Sequence, residues 1–243
     1  MRRLPILLLT CLLIPAAPAA GQHLGDVGLT VPVADGPIVT GGGSWTGEYA
    51  GRVFDEGLMP LEPPYETESP GFESQAGTFP AGATIRLDFT KQLLFWNGSA
   101  LAPPPAAMTL DYQGVRSATI TGSDTAGAPG FVITSVPSNG AFHEHIDYTL
   151  PDGAATGLYG IVVTLGPGAG STGFATSEPF LMTFEQGIAS NVPGGVQAMV
   201  DVAFAPVPEP SAVALVGLAA GGAWLAVRRT ATRRSGSARP RAG

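Results

Sequence analysis

The chain has 243 residues, a formal net charge of −7, 34 glycines, 23 prolines and a single cysteine. Its middle is more acidic than the whole, because residues 22–206 carry four basic side chains (Arg52, Arg86, Lys91 and Arg116) against eighteen acids, a net of −14. No basic stripe is there to neutralise phosphates, which argues against nucleic acid as a partner; the acids suit an exported domain kept soluble by its charge.

From the N-terminus, Arg2 and Arg3 precede an apolar run from Leu4 to Ile14, and small residues follow. That is the layout of a secretory signal peptide over residues 1–21, with cleavage before Ala20 or before Gln22. Cys11 lies inside the apolar run, so the processed chain holds no cysteine. Disulfides, thiolate catalysis and Cys-ligated zinc are thereby excluded. The stretch 22–206 is long enough for one domain with its own core.

Within it, residues 41–80 are rich in Gly, Pro and Glu and read as a long irregular excursion with room for one hairpin. Thr84–Phe89 alternates, placing Ile85, Leu87 and Phe89 on one face, and Met108, Leu110 and Tyr112 repeat the pattern. Leu101-Ala102-Pro103-Pro104-Pro105 reads as a polyproline-type loop. Phe131–Val136, Leu158–Leu165 and Phe180–Glu185 complete a set of short apolar strands. Val196, Met199, Val200 and Ala203 fit a helix, while Ala198, Val200, Val202 and Phe204 fit a strand, and spacing does not separate the two. The expected class is all-β, a β-sandwich of two antiparallel sheets, jelly-roll or immunoglobulin-like.

One segment carries metal-binding chemistry. In Phe142-His143-Glu144-His145-Ile146-Asp147-Tyr148-Thr149-Leu150, alternation turns Phe142, Ile146, Tyr148 and Leu150 to one side and His143, His145, Asp147 and Thr149 to the other. Imidazoles two residues apart on a strand both reach one ion, and imidazole suits zinc or copper. Asp147 is a candidate carboxylate, and His23, the third of only three histidines, could fold back from the mature N-terminus as a further ligand. Glu144 breaks the apolar face of this strand. Catalytic signatures are missing: there is no Gly-x-Ser-x-Gly elbow, phosphate loop or dinucleotide fingerprint, so the chain reads as a non-enzyme. Trp45 and Trp96 could stack on sugars, although such residues more often pack a core.

The C-terminus has three parts in a fixed order. Val207-Pro208-Glu209-Pro210-Ser211 leads into Ala212–Val227, a run without a charged or polar side chain, and residues 228–243 then hold six arginines. As a helix the run covers ~24 Å, short of the ~30 Å hydrocarbon core, so a spanning helix needs snorkelling arginines or a thinned bilayer. Arginines directly after the span place the 228–243 tail in the cytoplasm and the ectodomain on the periplasmic side.

Motif, span and basic cluster together resemble the PEP-CTERM sorting signal of exported bacterial proteins, with Pro208-Glu209-Pro210 as the tripeptide. The resemblance implies recognition by an exosortase-type sorting protease, followed by release or transfer to the cell surface or extracellular matrix. His23-Leu24-Gly25-Asp26-Val27-Gly28, Gly71-Phe72-Glu73, Gly77-Thr78-Phe79-Pro80, Phe95-Trp96-Asn97-Gly98, the His143–Tyr148 stretch, Thr156-Gly157-Leu158-Tyr159 and Ser177-Glu178-Pro179-Phe180 resemble an uncharacterised group of exported PEP-CTERM-type proteins. The His-rich strand is also similar to PEP-CTERM proteins under zinc-dependent repression, which implies a role in envelope zinc handling. Three expectations follow: a non-enzymatic surface or periplasmic component, a zinc- or copper-binding envelope protein, and an extracellular polysaccharide-binding module.

Overall fold

A computed structural model describes residues 26–43, 45–46, 48–57, 65–124, 130–187 and 192–205. The signal-peptide region over 1–21, His23, the 207–211 motif, the 212–227 span and the 228–243 tail lie outside the described residues. The described residues from Asp26 to Phe204 belong to one compact unit.

The described strands are β1 (Val27–Thr30), β2 (Val39–Gly41), β3 (Val53–Gly57), β4 (Tyr65–Thr67), β5 (Phe72–Ser74), β6 (Thr84–Phe89) and β7 (Leu94–Trp96). They continue as β8 (Met108–Tyr112), β9 (Arg116–Ile120), β10 (Phe131–Ser135), β11 (Phe142–Glu144), β12 (Asp147–Leu150), β13 (Gly157–Pro167) and β14 (Phe180–Gln186), followed by helix α1 (Val192–Ala203). They form three open sheets, ordered β11-β5-β1-β2, β10-β6-β13-β14-β3 with β7 also on β13, and β4-β12-β8-β9. The chain is therefore mostly β, as its punctuated apolar runs dictate. Instead of two antiparallel sheets there are three, and β1–β5 and β3–β14 pair in parallel.

The alternating segments fold as their patterns require. Ile85, Leu87 and Phe89 of β6 and Met108 and Leu110 of β8 are all buried. β13 has no clean alternation because both its faces are covered. Tyr159, Ile161, Val163 and Leu165 enter the main core, whereas Leu158 and Val162 face a second cluster with Val196, Met199, Val200 and Ala203 of α1. The helical pattern at the C-terminal end thus prevails over the strand pattern, since the second face of β13 and β14 offers an apolar groove that a helix stripe can fill. Gly160 allows the close approach: a Cβ there would lie 2.6 Å from Met199 Sδ.

Residues 41–80 differ from expectation. They contain β3, β4 and β5, and no two of these pair with each other; β3 joins β14, β4 joins β12, and β5 joins β1 and β11. The strands are too short, at three to five residues, to announce themselves by periodicity, and only distant partners complete their hydrogen bonds. Trp96 is 8% exposed and packs in the second cluster, and the half-buried Trp45 packs against that cluster.

Candidate metal centre

The His-x-His segment does not remain in one strand. Phe142–Glu144 pairs with β5, after which the chain crosses over, and Asp147–Leu150 pairs with β4 and β8 in another sheet. Phe142, Ile146, Tyr148 and Leu150 stay buried across the switch, as alternation requires. Glu144 sits at the crossing rather than in the apolar core. It accepts hydrogen bonds from Tyr112 Oη (2.7 Å) and Thr134 Oγ1 (3.1 Å), which satisfies a half-buried carboxylate.

The change of sheet tilts the two imidazoles together. Their ring centroids lie 4.7 Å apart, and His143 Nε2 and His145 Nε2 are separated by 3.0 Å. The third member of the group is Asp26, immediately before β1, whose Oδ2 lies 2.9 Å from His143 Nε2. The ligand-type atoms of Asp26, His143 and His145 all fall within 4.8 Å of one another. Around tetrahedral zinc with bonds of about 2.0–2.1 Å, neighbouring ligand atoms stand about 3.3 Å apart, close to the 2.9 and 3.0 Å of the two pairs that share His143 Nε2.

Asp26 and His145 are each oriented from behind. The β1–β5 pairing brings Gly71 beside Asp26, and the Gly71 N–H donates to Asp26 Oδ1 at 2.8 Å, leaving Oδ2 directed at the histidines. His145 Nδ1 lies 2.9 Å from the Glu68 carbonyl oxygen. A carbonyl only accepts, so the Nδ1 carries the proton, and a ring protonated there alone turns its Nε2 lone pair to the centre. Such a backbone partner on the far nitrogen is the usual companion of a ligating histidine. The loop that supplies Glu68 and Gly71 is itself held from the core, where the Tyr148 hydroxyl donates to the Pro70 carbonyl at 3.0 Å.

Gly71 is required here by space rather than by backbone angle. A Cβ at this position would stand 2.9 Å from both Asp26 Oδ1 and His145 Cε1, inside contact distance. The His145 ring lies over that bare backbone. The Asp26 side chain is 2% exposed, whereas that of His143 is 36% exposed, so a nearly dry carboxylate has its open side capped by an imidazole. A carboxylate so far from water needs a cationic or strongly donating partner. One His143 Nε2 proton cannot serve Asp26 Oδ2 and His145 Nε2 at full strength together; a cation at the centre satisfies all three lone pairs.

Of the residues picked out by spacing, His143 and His145 are brought together, and Asp147 is not in the group. Asp147 begins β12 opposite Asp111. Its carboxyl is raised above the usual range, first by burial and then by the nearby Glu68, Asp111 and Glu66. His23 lies outside the described residues. Asp26 and Gly71 were not legible as site residues, because they reach the histidines through pairings across 45 or more positions of sequence. Comparison with family models, curated proteins and solved structures finds no match.

Proposed function

We propose that this chain is an exported cell-envelope protein whose ectodomain binds a transition metal, zinc foremost and copper next, through Asp26, His143 and His145. The observation that carries the reading is the convergence of two imidazole nitrogens and a buried carboxylate oxygen within 4.8 Å, with Gly71 bare beneath them. Two nitrogens and one oxygen are a donor set for zinc, and copper also accepts it. The three ligands come from two separated parts of the chain, so a bound ion would tie the start of β1 to the end of β11.

Export and sorting belong to the same proposal. The signal peptide over 1–21 and the Val207–Ser211 motif with its apolar span and arginines would deliver the domain to the periplasmic side, anchor it, and hand it to an exosortase-type protease. The ectodomain, proposed as a sandwich-like packing of its sheets, acts there without a catalytic role.

The test is zinc and copper titration calorimetry on the purified full-length protein, beside a His143→Ala/His145→Ala double variant. Stoichiometric binding tighter than about 1 μM, equivalent to about 8 kcal/mol, should vanish in the double variant. Binding that survives both substitutions would overturn the assignment.

A further inference from the structure

A groove of about 780 Å³ runs over the outward face of the β11-β5-β1-β2 sheet and ends at His143. Its floor follows from sequence. Val27 and Leu29 turn into the core, so Gly28 faces outward, and the register sets Gly28 directly opposite Gly41. A cross-strand pair of glycines leaves bare backbone where side chains would otherwise stand. A Cβ on Gly41 would find its nearest neighbour, the Gly28 carbonyl oxygen, at 3.8 Å, so the space above it is open. Glu73 adds a carboxylate to the lining, whereas the Thr40 hydroxyl is engaged with the Gly51 carbonyl and the Ser74 hydroxyl with the Gly140 carbonyl.

Glu73 pairs with Gly28 on one side and with His143 on the other. Residues directly opposite on one face of a sheet hold their Cβ atoms about 5 Å apart, which sets this carboxylate beside the metal ligand. No lysine or arginine lines the groove among the described residues, and its one aromatic residue, Phe142, is 7% exposed. Away from the metal an anionic ligand therefore meets no countercharge, and Glu73 repels it, while a sugar ring meets no open aromatic face for stacking. A second backbone is what a glycine floor admits closely.

We infer that this groove binds the amino-terminal end of an extended peptide of small residues, with its terminal amine between Glu73 and the open position of the metal. The inference rests on the metal reading above: three protein ligands leave a coordination position unfilled, and His143 belongs to both centre and groove. A neutral amine ligates through its lone pair and donates an N–H to the Glu73 carboxylate, so charge and hydrogen bonding are both matched.

The experiment uses the full-length protein, with and without zinc, titrated with tetra-alanine and with N-acetyl-tetra-alanine. The free-amine peptide should bind the zinc-loaded protein, and acetylation or zinc removal should each weaken it by about tenfold or more. Gly41→Val should abolish peptide binding while zinc still binds. Glu73→Gln, which keeps size and fold, should erase the preference for the free amine. Zinc binding without peptide binding overturns the groove assignment and leaves the metal reading standing. Peptide binding that is indifferent to zinc, to acetylation or to Glu73→Gln overturns the proposed pose, as does preferential binding of a neutral β-glucan oligosaccharide. Failure to bind zinc at all removes the metal reading, on which the inference depends.

Discussion

At the scale of single residues, the centre is defined as much by Gly71 as by its ligands. A methyl group there would press on Asp26 Oδ1 and on the His145 ring, each at about 2.9–3.0 Å. Gly71→Ala should therefore lower zinc affinity by about 10- to 100-fold, the usual cost of disturbing groups that orient a metal ligand. Calorimetry on that variant checks it, and unchanged affinity would mean that the ring is not held over this position. Asp26→Asn keeps the shape and the acceptor for the Gly71 N–H but removes the charge. It should weaken zinc binding more than Asp147→Asn, since Asp147 does not share the cluster. Acid should oppose binding in every variant that retains the histidines, because protons compete for the same lone pairs. Two of the ligands were legible in the sequence, since His-x-His on a strand is a local pattern. Asp26 was not, because nothing within its own neighbourhood in the chain marks it as facing residue 143.

Among the elements, α1 and the β11–β12 crossing carry testable energetics. Met199 is fully buried between α1 and β13, where Gly160 leaves room for it. Met199→Ala should cost about 2–5 kcal/mol in denaturant unfolding, through lost burial and the cavity left behind. At the crossing, the Tyr112 hydroxyl is pushed up to about 12, first by burial and then by its bond to Glu144 and that group's charge. Tyr159 is also pushed up to about 12 by burial. Both folded values exceed the ordinary 10.0, so their contribution is complete below that pH and is lost as pH rises through 12. Stability to urea should fall across that window, and Tyr112→Phe should flatten the fall. An unchanged slope would mean that this phenol titrates alike in folded and unfolded chains.

For the whole molecule, metal and fold are linked by mass action. Zinc at about one hundred times its dissociation constant should add about 2.7 kcal/mol, or roughly 5–10 °C in Tm for a domain of this size. The His143→Ala/His145→Ala variant should show no such shift in a thermal melt. Sorting is a separate property of the C-terminal end. Glu209→Ala/Pro210→Ala should leave the protein membrane-bound and unprocessed on fractionation, and unchanged release would refute recognition of the Pro208-Glu209-Pro210 motif.

The sequence by itself determined the mostly β character, the positions of β6, β8, β10, β13 and β14 to within two residues, and the nearness of His143 to His145. These are local consequences of alternation and of glycine and proline punctuation, which act over a few residues. Tertiary structure decided what locality cannot reach. It drew β3, β4 and β5 out of an irregular stretch, chose helix over strand for residues 192–203, and divided the His-x-His segment between two sheets. The same long-range pairing, β1 beside β5 and β5 beside β11, carried Asp26 to the histidines and set Gly28 and Gly41 in the groove floor. Short strands gain their stability from partners far along the chain, so their register, and every site built across it, exists only once the sheets have closed on one core.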